Sequence, residues 1–415
     1  MGVLQDKVNR WTHELPRRNL AEMIERKLDE YGIRLSKKRL DKLVSQLIAG
    51  EQQIQLNLGR NPKDTVIEFT DRDVAWFEKR NDETFEKLPE LIDHLSEGFS
   101  ETILAGLKAK WRREWSQQQR DMRGFRERLD ARWGQGLGGL RMLVTIAREF
   151  GEAFNQDVNT AGGGSGCSFD VLRRLHARAC QVADEVICLL SSGFADGAMA
   201  RWRTIHEIAA VAYLIGQHGD DLAERYVAHQ IVETRSGAIQ YRKHQARLKQ
   251  EPISDEELDE IEVEYRAALT RFGEPFGGQY GWAAEHINRK RPTIADIQEA
   301  ADINHLSPYY KMASHNIHAN PKGVFFRLGL VGETEALLAG PSNGGLTDPG
   351  HATALSLNQI SSVLMNANMT VDNIVAVKIM QRVADEIGQA LLLAQQQLDA
   401  DERQLSEAAP KLEED

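Results

Sequence analysis

"DGAMARWRTIHEIAAVAYLIGQ", residues 196–217, decides how this chain folds. From Ile208 to Ile215 the stretch is apolar on every side, as a helix wrapped by other helices must be. That run is the longest unbroken apolar one in the chain and is far too short to span a bilayer. One turn earlier the same helix carries Arg203, His206 and Glu207. Arg203 and Glu207 stand four residues apart and share a stripe with Ala210 and Leu214. Two readings are open at this point. The pair either closes one end of a bundle as a partly buried ion pair, or lines a polar pocket in which Arg203 holds an anion and Glu207 positions a histidine.

Helical periodicity extends outward from this stretch. Phe169–Leu190, Gly197–Gln217, Asp220–Lys249 and Ser254–Phe272 read as long helices, and His351 to Asp401 as two more. Near the start, Leu20, Met23, Ile24, Leu28 and Tyr31 share one face, and Ser36 reads as the cap of a second helix. The period then changes. "QIQLNL" (53–58) and "TVIEF" (65–69) alternate apolar and polar residues around "GRNPKD", which predicts a β-hairpin. Thr70 with Asp73 three residues on reads as a helix cap. "NTAGGGSGCS" (159–168) has the composition of a flexible linker. The expected organisation is a helix-helix-hairpin module over 1–72 and a helical region over 73–158. A bundle core over 169–400 and an acidic tail over 401–415 complete it. The fold class is mainly α.

Bulk properties narrow the setting. With 41% hydrophobic and 27% charged residues among 415, the composition is that of an ordinary soluble globular protein. The formal charge of −11 gives no overall pull toward nucleic acid, although a local patch can override it. The polar opening "MGVLQDKVNRWTHELP" carries no basic-then-apolar leader, so a cytoplasmic location without membrane contact is expected. Three cysteines, Cys167, Cys180 and Cys188, form no disulfide framework and fit a reducing compartment. Cys180 and Cys188 lie in an apolar helical pattern and read as small core residues. One basic patch stands out. Residues 108–133 hold nine Lys/Arg against four Asp/Glu, with Trp111, Trp115, Phe125 and Trp133 interleaved. Such rings either stack bases beside a phosphate track or pack against a neighbouring helix. The shared face of Trp111 and Trp115 favours packing.

A second motif is "YKMASHNIHAN", residues 310–320, with His315 and His318 three apart before Pro321. Two histidines at that spacing can begin a zinc site, but a third and fourth ligand are needed. His286 and His305 are the only nearby histidine candidates, and neither HExxH nor paired CxxC occurs, so no metal or cofactor is expected. The imidazoles either bond backbone at a helix end or carry acid–base and phosphate-binding work.

"ADEVICLLSSGFADGAMARWRTIHEIAAVAYLI" (183–215), "LAERYVAHQIVETRSGAIQYRKH" (222–244) and "YYKMASHNIHANP" (309–321) together resemble an uncharacterised bacterial helical family, the domain of unknown function numbered five-six-seven-seven. The resemblance covers roughly Phe169 to Leu330. Its pattern is Arg-x-x-x-Glu on a buried helix, a tyrosine early in the next, and a later tyrosine–serine–histidine element. Here these are Arg203 and Glu207, Tyr226, and Tyr310, Ser314 and His318. The family is similar in outline to HEPN domains, helical bundles that often act as metal-independent ribonucleases in toxin–antitoxin and phage-defence systems. The nuclease signature there is an arginine, four to six residues, then a histidine. The pair assigned to that spacing here is Lys311 and His318, a lysine in the arginine's place, with Arg203 left to supply a cation from another helix.

The resemblance implies an RNA-directed effector. Cleavage of RNA without metal needs a base for the 2′-hydroxyl and a cation for the developing phosphorane charge. Histidine suits the first task because its ordinary pKa lies near neutrality. His318 takes that role, with Arg203 or Lys311 as the cation and Glu207 orienting the imidazole. Ser314 or Tyr310 donates to phosphate, and Tyr310, Tyr226 and His315 form the binding side. Expected partners are RNA, a protein from the same operon, or a second copy in a homodimer. The competing expectation is a non-catalytic interaction or regulatory module whose Arg–Glu–His cluster is structural.

Overall fold

The computed structural model describes residues 3–51, 53–55, 66–160, 166–318, 320–331, 337–367 and 369–408. Among them run thirteen α-helices and no strand. In chain order they are α1 (Val3–Glu30), α2 (Lys37–Ile48), α3 (Asp71–Glu86), α4 (Leu88–Thr160), α5 (Cys167–Leu190), α6 (Ala195–Ala228) and α7 (Gln230–Leu248). Then follow α8 (Asp255–Phe272), α9 (Ile294–Ala300), α10 (Ser307–His315), α11 (Pro321–Phe325), α12 (Thr347–Asn366) and α13 (Val371–Ala408). No helix of the described residues is long and apolar enough to cross a membrane. The chain forms two compact units, Met1–Gln118 and Gln119–Asp415, so the division falls inside α4 and the helical region 73–158 is shared between them.

In the first unit, Met23, Ile24 and Leu28 of α1 meet Leu40, Leu43 and Val44 of α2. The expected hairpin is not seen: 53–55 and 66–69 carry no strand, and its remaining residues, 56–65, lie outside the described ones. The alternating pattern has another use here. Ile54 and Ile67 are its inward members, and both pack onto the α1–α2 core. The cap at Thr70 forms as a capping box with Asp73. Asp73 also reaches back to α1, accepting from Lys27 Nζ at 2.8 Å with both side chains nearly buried. The Lys27 ammonium and the Thr70 donors hold the Asp73 carboxyl down at about 2. This contact ties α3 to α1, so the first unit does not close at residue 72.

In the second unit, α5 and α6 form a helical hairpin joined by a turn at 191–194. Gly193 holds a positive φ of 79° there, and a Cβ would strike Phe125 and the Ser342 carbonyl, each at 2.7 Å. α12 lies against α5, α6 and α13, and α10 lies against α6. Within α6, Gly219 leaves helical geometry with a φ of 70°, so the helix breaks where a boundary between Gln217 and Asp220 was expected. The second segment ends at Ala228, and α7 begins separately after His229 rather than continuing it to Lys249. A glycine free to take positive φ replaces the expected loop with a kink. Of the basic stretch, Trp133 is fully buried, its Nε1 donating to the Asn343 carbonyl at 3.0 Å, and Phe125 packs against the same core. Trp111 and Trp115 are exposed, contrary to the core packing that their shared face suggested. The cysteines are free, Cys180 buried and Cys167 partly so, but Cys188 is exposed and is not a core residue. Burial pushes the Cys180 thiol up to about 11.

Glycines let α4 approach α13 closely. A Cβ at Gly136 would lie 2.5 Å from Leu391 Cδ2, and one at Gly139 2.8 Å from Ile387 Cγ1. Gly138 meets nothing within 4 Å. Glycine to alanine inside a helix gains up to about 1 kcal/mol from propensity, while overpacking costs roughly 1–3 kcal/mol. Gly138→Ala should therefore raise the denaturant midpoint, and Gly136→Ala should lower it. Urea unfolding of the two variants beside the parent checks both signs.

Candidate functional site

The polar turn of α6 meets α10 at the tyrosine. Arg203 Nε donates to Glu207 Oε1 at 2.9 Å, and the Tyr310 hydroxyl donates to the same oxygen at 2.5 Å. The guanidinium carbon also sits 4.7 Å from the Tyr310 ring centroid, within cation–π range. Tyr310 is nearly buried, and burial with the Glu207 carboxylate raises its hydroxyl pKa well above the usual tyrosine range. Arg203 and Glu207 remain partly exposed. Glu207 thus orients a tyrosine, and no histidine bonds it among the described residues, so the carboxylate–imidazole contact expected from the sequence is not made. The arrangement is a partly exposed ion pair whose shared oxygen also takes the Tyr310 hydroxyl.

Behind this cluster lies His206. Its ring is stacked on Trp202 at 5.2 Å between centroids and tilted against Tyr310 at 5.8 Å. It is wholly buried, and neither ring nitrogen has a hydrogen-bond partner. Burial holds its pKa down at about 4, so it is neutral at pH 7. Arg201 stands before it with four residues between, the arginine–histidine spacing that the sequence reading assigned to Lys311 and His318 instead. That spacing was the missed signal. Geometry separates the two side chains, however. Arg201 leaves its helix to pair with Glu185 of α5, while His206 points into the core.

α10 carries the remaining residues on two edges. Tyr310 and Ser314, four apart, face α6; the Ser314 hydroxyl donates to the Tyr310 carbonyl at 2.9 Å and is thereby occupied. Lys311 and His315, also four apart, line a half-open cleft of about 460 Å³ with Pro308, Met312, Lys322 and Phe326. Asn320 organises the far side of this cleft. Its amide donates to His315 Nδ1 at 2.9 Å, and its oxygen accepts from the Gly323 N–H at 2.8 Å, capping α11. This pairing assigns the His315 ring proton to Nε2. His318 lies beyond the end of α10 in an exposed turn. Tyr226 is apart from both groups, edge-on to Trp282 at 5.2 Å against the core. His286 pairs with Asp221 at 2.9 Å and His305 is exposed. Among the described residues no group of three His, Cys, Asp or Glu side chains could hold a metal ion. Lys322 and Phe326 escaped the sequence reading because Pro321 interrupts the helical register that linked the others.

Comparison with known families places one stretch. Residues 169–334 match the model of a family of unknown function, DUF5677, and so cover α5 through α11, the buried helix and both edges of α10. The matched stretch is similar to that family and spans less than half of the chain. No curated protein and no solved structure matches.

Two outcomes follow from this geometry. Tyr310→Phe removes a hydrogen bond to a charged group and should cost about 1.5–3 kcal/mol, read as a lower urea midpoint. His206 has a folded pKa near 4 against about 6.5 unfolded. Its contribution is complete above pH 6.5 and is lost as pH falls from there toward 4, by up to about 3 kcal/mol. His206→Leu should flatten part of that acid-side loss, measured at pH 7, 5.5 and 4.5. His176, held near 4 by the same cause, contributes to the part that remains, as do His218 and His351, whose pKa values burial also lowers.

Proposed function

We propose that the second unit is a HEPN-like, RNA-directed effector of bacterial defence or toxin systems that contacts its ligand through the cleft on α10. The observation that carries this reading is the make-up of that cleft. Two lysines and a histidine, Lys311, Lys322 and His315, share it with Pro308, Met312 and Phe326. Cations beside apolar and aromatic surface suit a single-stranded nucleic acid, since phosphates take the first and base faces the second. Exposed Tyr309, Ile317 and Phe325 on the same segment extend the apolar part. His318, in the next turn, is the group proposed to move the proton from the 2′-hydroxyl, with Lys311 opposite the phosphorane charge. The chain is proposed to act in the cytoplasm.

A second reading has its own observation. Arg203, Glu207 and Tyr310 satisfy one another, and Ser314 bonds backbone, which fits a structural cluster in a non-catalytic interaction module. Binding of a labelled single-stranded RNA to the full chain, followed across salt concentrations, separates the two. Lys311→Ala and Lys322→Ala should each weaken binding and reduce the magnitude of the salt slope by about 0.7. Cleavage in the presence of EDTA should vanish with His318→Ala and persist with His315→Ala, while His318→Ala retains binding. RNA binding that ignores both lysines would remove the cleft reading. Binding without cleavage in the parent would leave an RNA-binding module, and no binding at all would leave the interaction module.

A further inference from the structure

Asn320 spends the two ends of one side chain on the two walls of the α10 cleft. Its Oδ1 takes the Gly323 N–H at 2.8 Å, and a backbone N–H can only donate, so the amide orientation is fixed from that side. The other end is then the NH2 group, and it stands 2.9 Å from His315 Nδ1. A ring nitrogen that faces a donor must accept, which leaves the imidazole proton on Nε2. The same cap sets the first turn of α11, where Pro321 and Lys322 stand. That turn lies directly on the end of α10. A Cβ at Gly323 would fall 2.0 Å from the His315 carbonyl oxygen, so only glycine permits the approach.

With Nδ1 taken, the polar side chains that line the cleft, Lys311, His315 and Lys322, offer donors and no oxygen or nitrogen acceptor. The smaller space behind His315 adds Asp196 and Asn316. The Asp196 carboxylate there already takes the Leu328 N–H at 2.9 Å and Arg327 Nε at 3.4 Å. The Watson–Crick edge of every RNA base carries an N–H donor, and in this cleft that donor would meet no acceptor, an unpaired polar group that weakens binding. The non-bridging phosphate oxygens of a nucleic acid only accept, and ammonium groups complement their charge. We infer that Asn320 is the positioning residue that makes the α10 cleft a phosphate site, by holding His315 as an Nε2–H donor beside Lys311 and Lys322. For the RNA reading of the cleft, on which this rests, these three side chains grip the backbone and leave Phe326 to the bases.

Nitrogen-15 imidazole spectra of the full chain test this at pH 8.5, where a free imidazole holds one proton. The His315 signals are those lost in His315→Ala. Inorganic phosphate is titrated in at millimolar concentrations, against sodium chloride of equal ionic strength. The parent should carry the His315 ring proton on Nε2, and phosphate, unlike chloride, should shift that nitrogen. Asn320→Asp keeps the cap, since Asp serves there as well as Asn, but its carboxylate only accepts and draws the ring proton to Nδ1. Phosphate should then bind about tenfold or more weakly. Asn316→Asp adds the same charge beside the cleft without touching Nδ1, and its smaller loss measures charge alone. A parent with the proton on Nδ1 overturns the inference. So does phosphate that acts like chloride, an Asn320→Asp ring still protonated on Nε2 alone, or a loss no larger than that of Asn316→Asp. Labelled single-stranded RNA keeps the two readings apart. RNA that fails to bind while phosphate shifts Nε2 removes the RNA reading and leaves the phosphate site. RNA that binds while phosphate leaves Nε2 unmoved does the reverse.

Discussion

A helix wrapped on all sides must bring its polar side chains to partners inside the fold, and α6 is such a helix. Ile205, Ala209, Ala212 and Ile215 are fully buried, so the helix turn that carries Arg203 and Glu207 is fixed in place while their side chains stay partly exposed. The Glu207 carboxylate keeps about a third of its surface in water, and Arg203 and the Tyr310 hydroxyl satisfy the oxygen that turns inward. The consequence reaches α10. With Tyr310 anchored to Glu207, the position of α10 on α6 is set, and the next residue along, Lys311, is turned to the opposite edge. The cleft that Lys311 and His315 line is thus a by-product of how α6 satisfies one acid.

The glycines work on the same problem from outside. Where helices of the second unit cross at short range, the crossing residue is repeatedly glycine: Gly136 and Gly139 under α13, and Gly350 against Leu391. Close crossing leaves little room for water around buried polar groups such as Thr353 and Ser361 of α12, which turn back to carbonyls of their own helix at 2.7 and 2.9 Å. Ser361 also meets His176 Nε2 at 3.0 Å. His176 thus has a partner, while His206, equally deep, has aromatic faces instead.

Much of this was legible in the sequence, and the failures have physical reasons. Long helices announce themselves by period, so α5, α6 and α8 fall close to where Phe169–Leu190, Gly197–Gln217 and Ser254–Phe272 placed them. The Arg203–Glu207 pair followed from its spacing alone. Alternation misled at 53–55 and 66–69, the described ends of the expected hairpin, because Ile54 and Ile67 turn inward onto a helical core without any strand pairing. The Arg201–His206 spacing is masked in the sequence by Arg203, whose four-residue spacing to Glu207 is the more visible pattern on the same turn. Lys322 and Phe326 lie across the Pro321 break, where no period connects them to Lys311. Trp111 and Trp133 show the limit most directly. Both are tryptophans in one basic helical stretch, and only the fold tells which one meets a core and which one meets solvent.

The cysteines have a consequence in reagent chemistry. A thiol reagent attacks the thiolate. With its thiol pushed up to about 11, Cys180 holds roughly one part in ten thousand as thiolate at pH 7, and it is buried as well. Cys167 is only partly accessible, its thiol also raised by burial and by the neighbouring Glu224 and Asp220. Cys188 is exposed near the end of α5, a few residues before the turn whose glycine abuts Phe125 and Ser342. A fluorophore carried by a maleimide would therefore settle on one position without any cysteine being engineered out. It would sit beside the joint where α5 hands the chain to the buried helix.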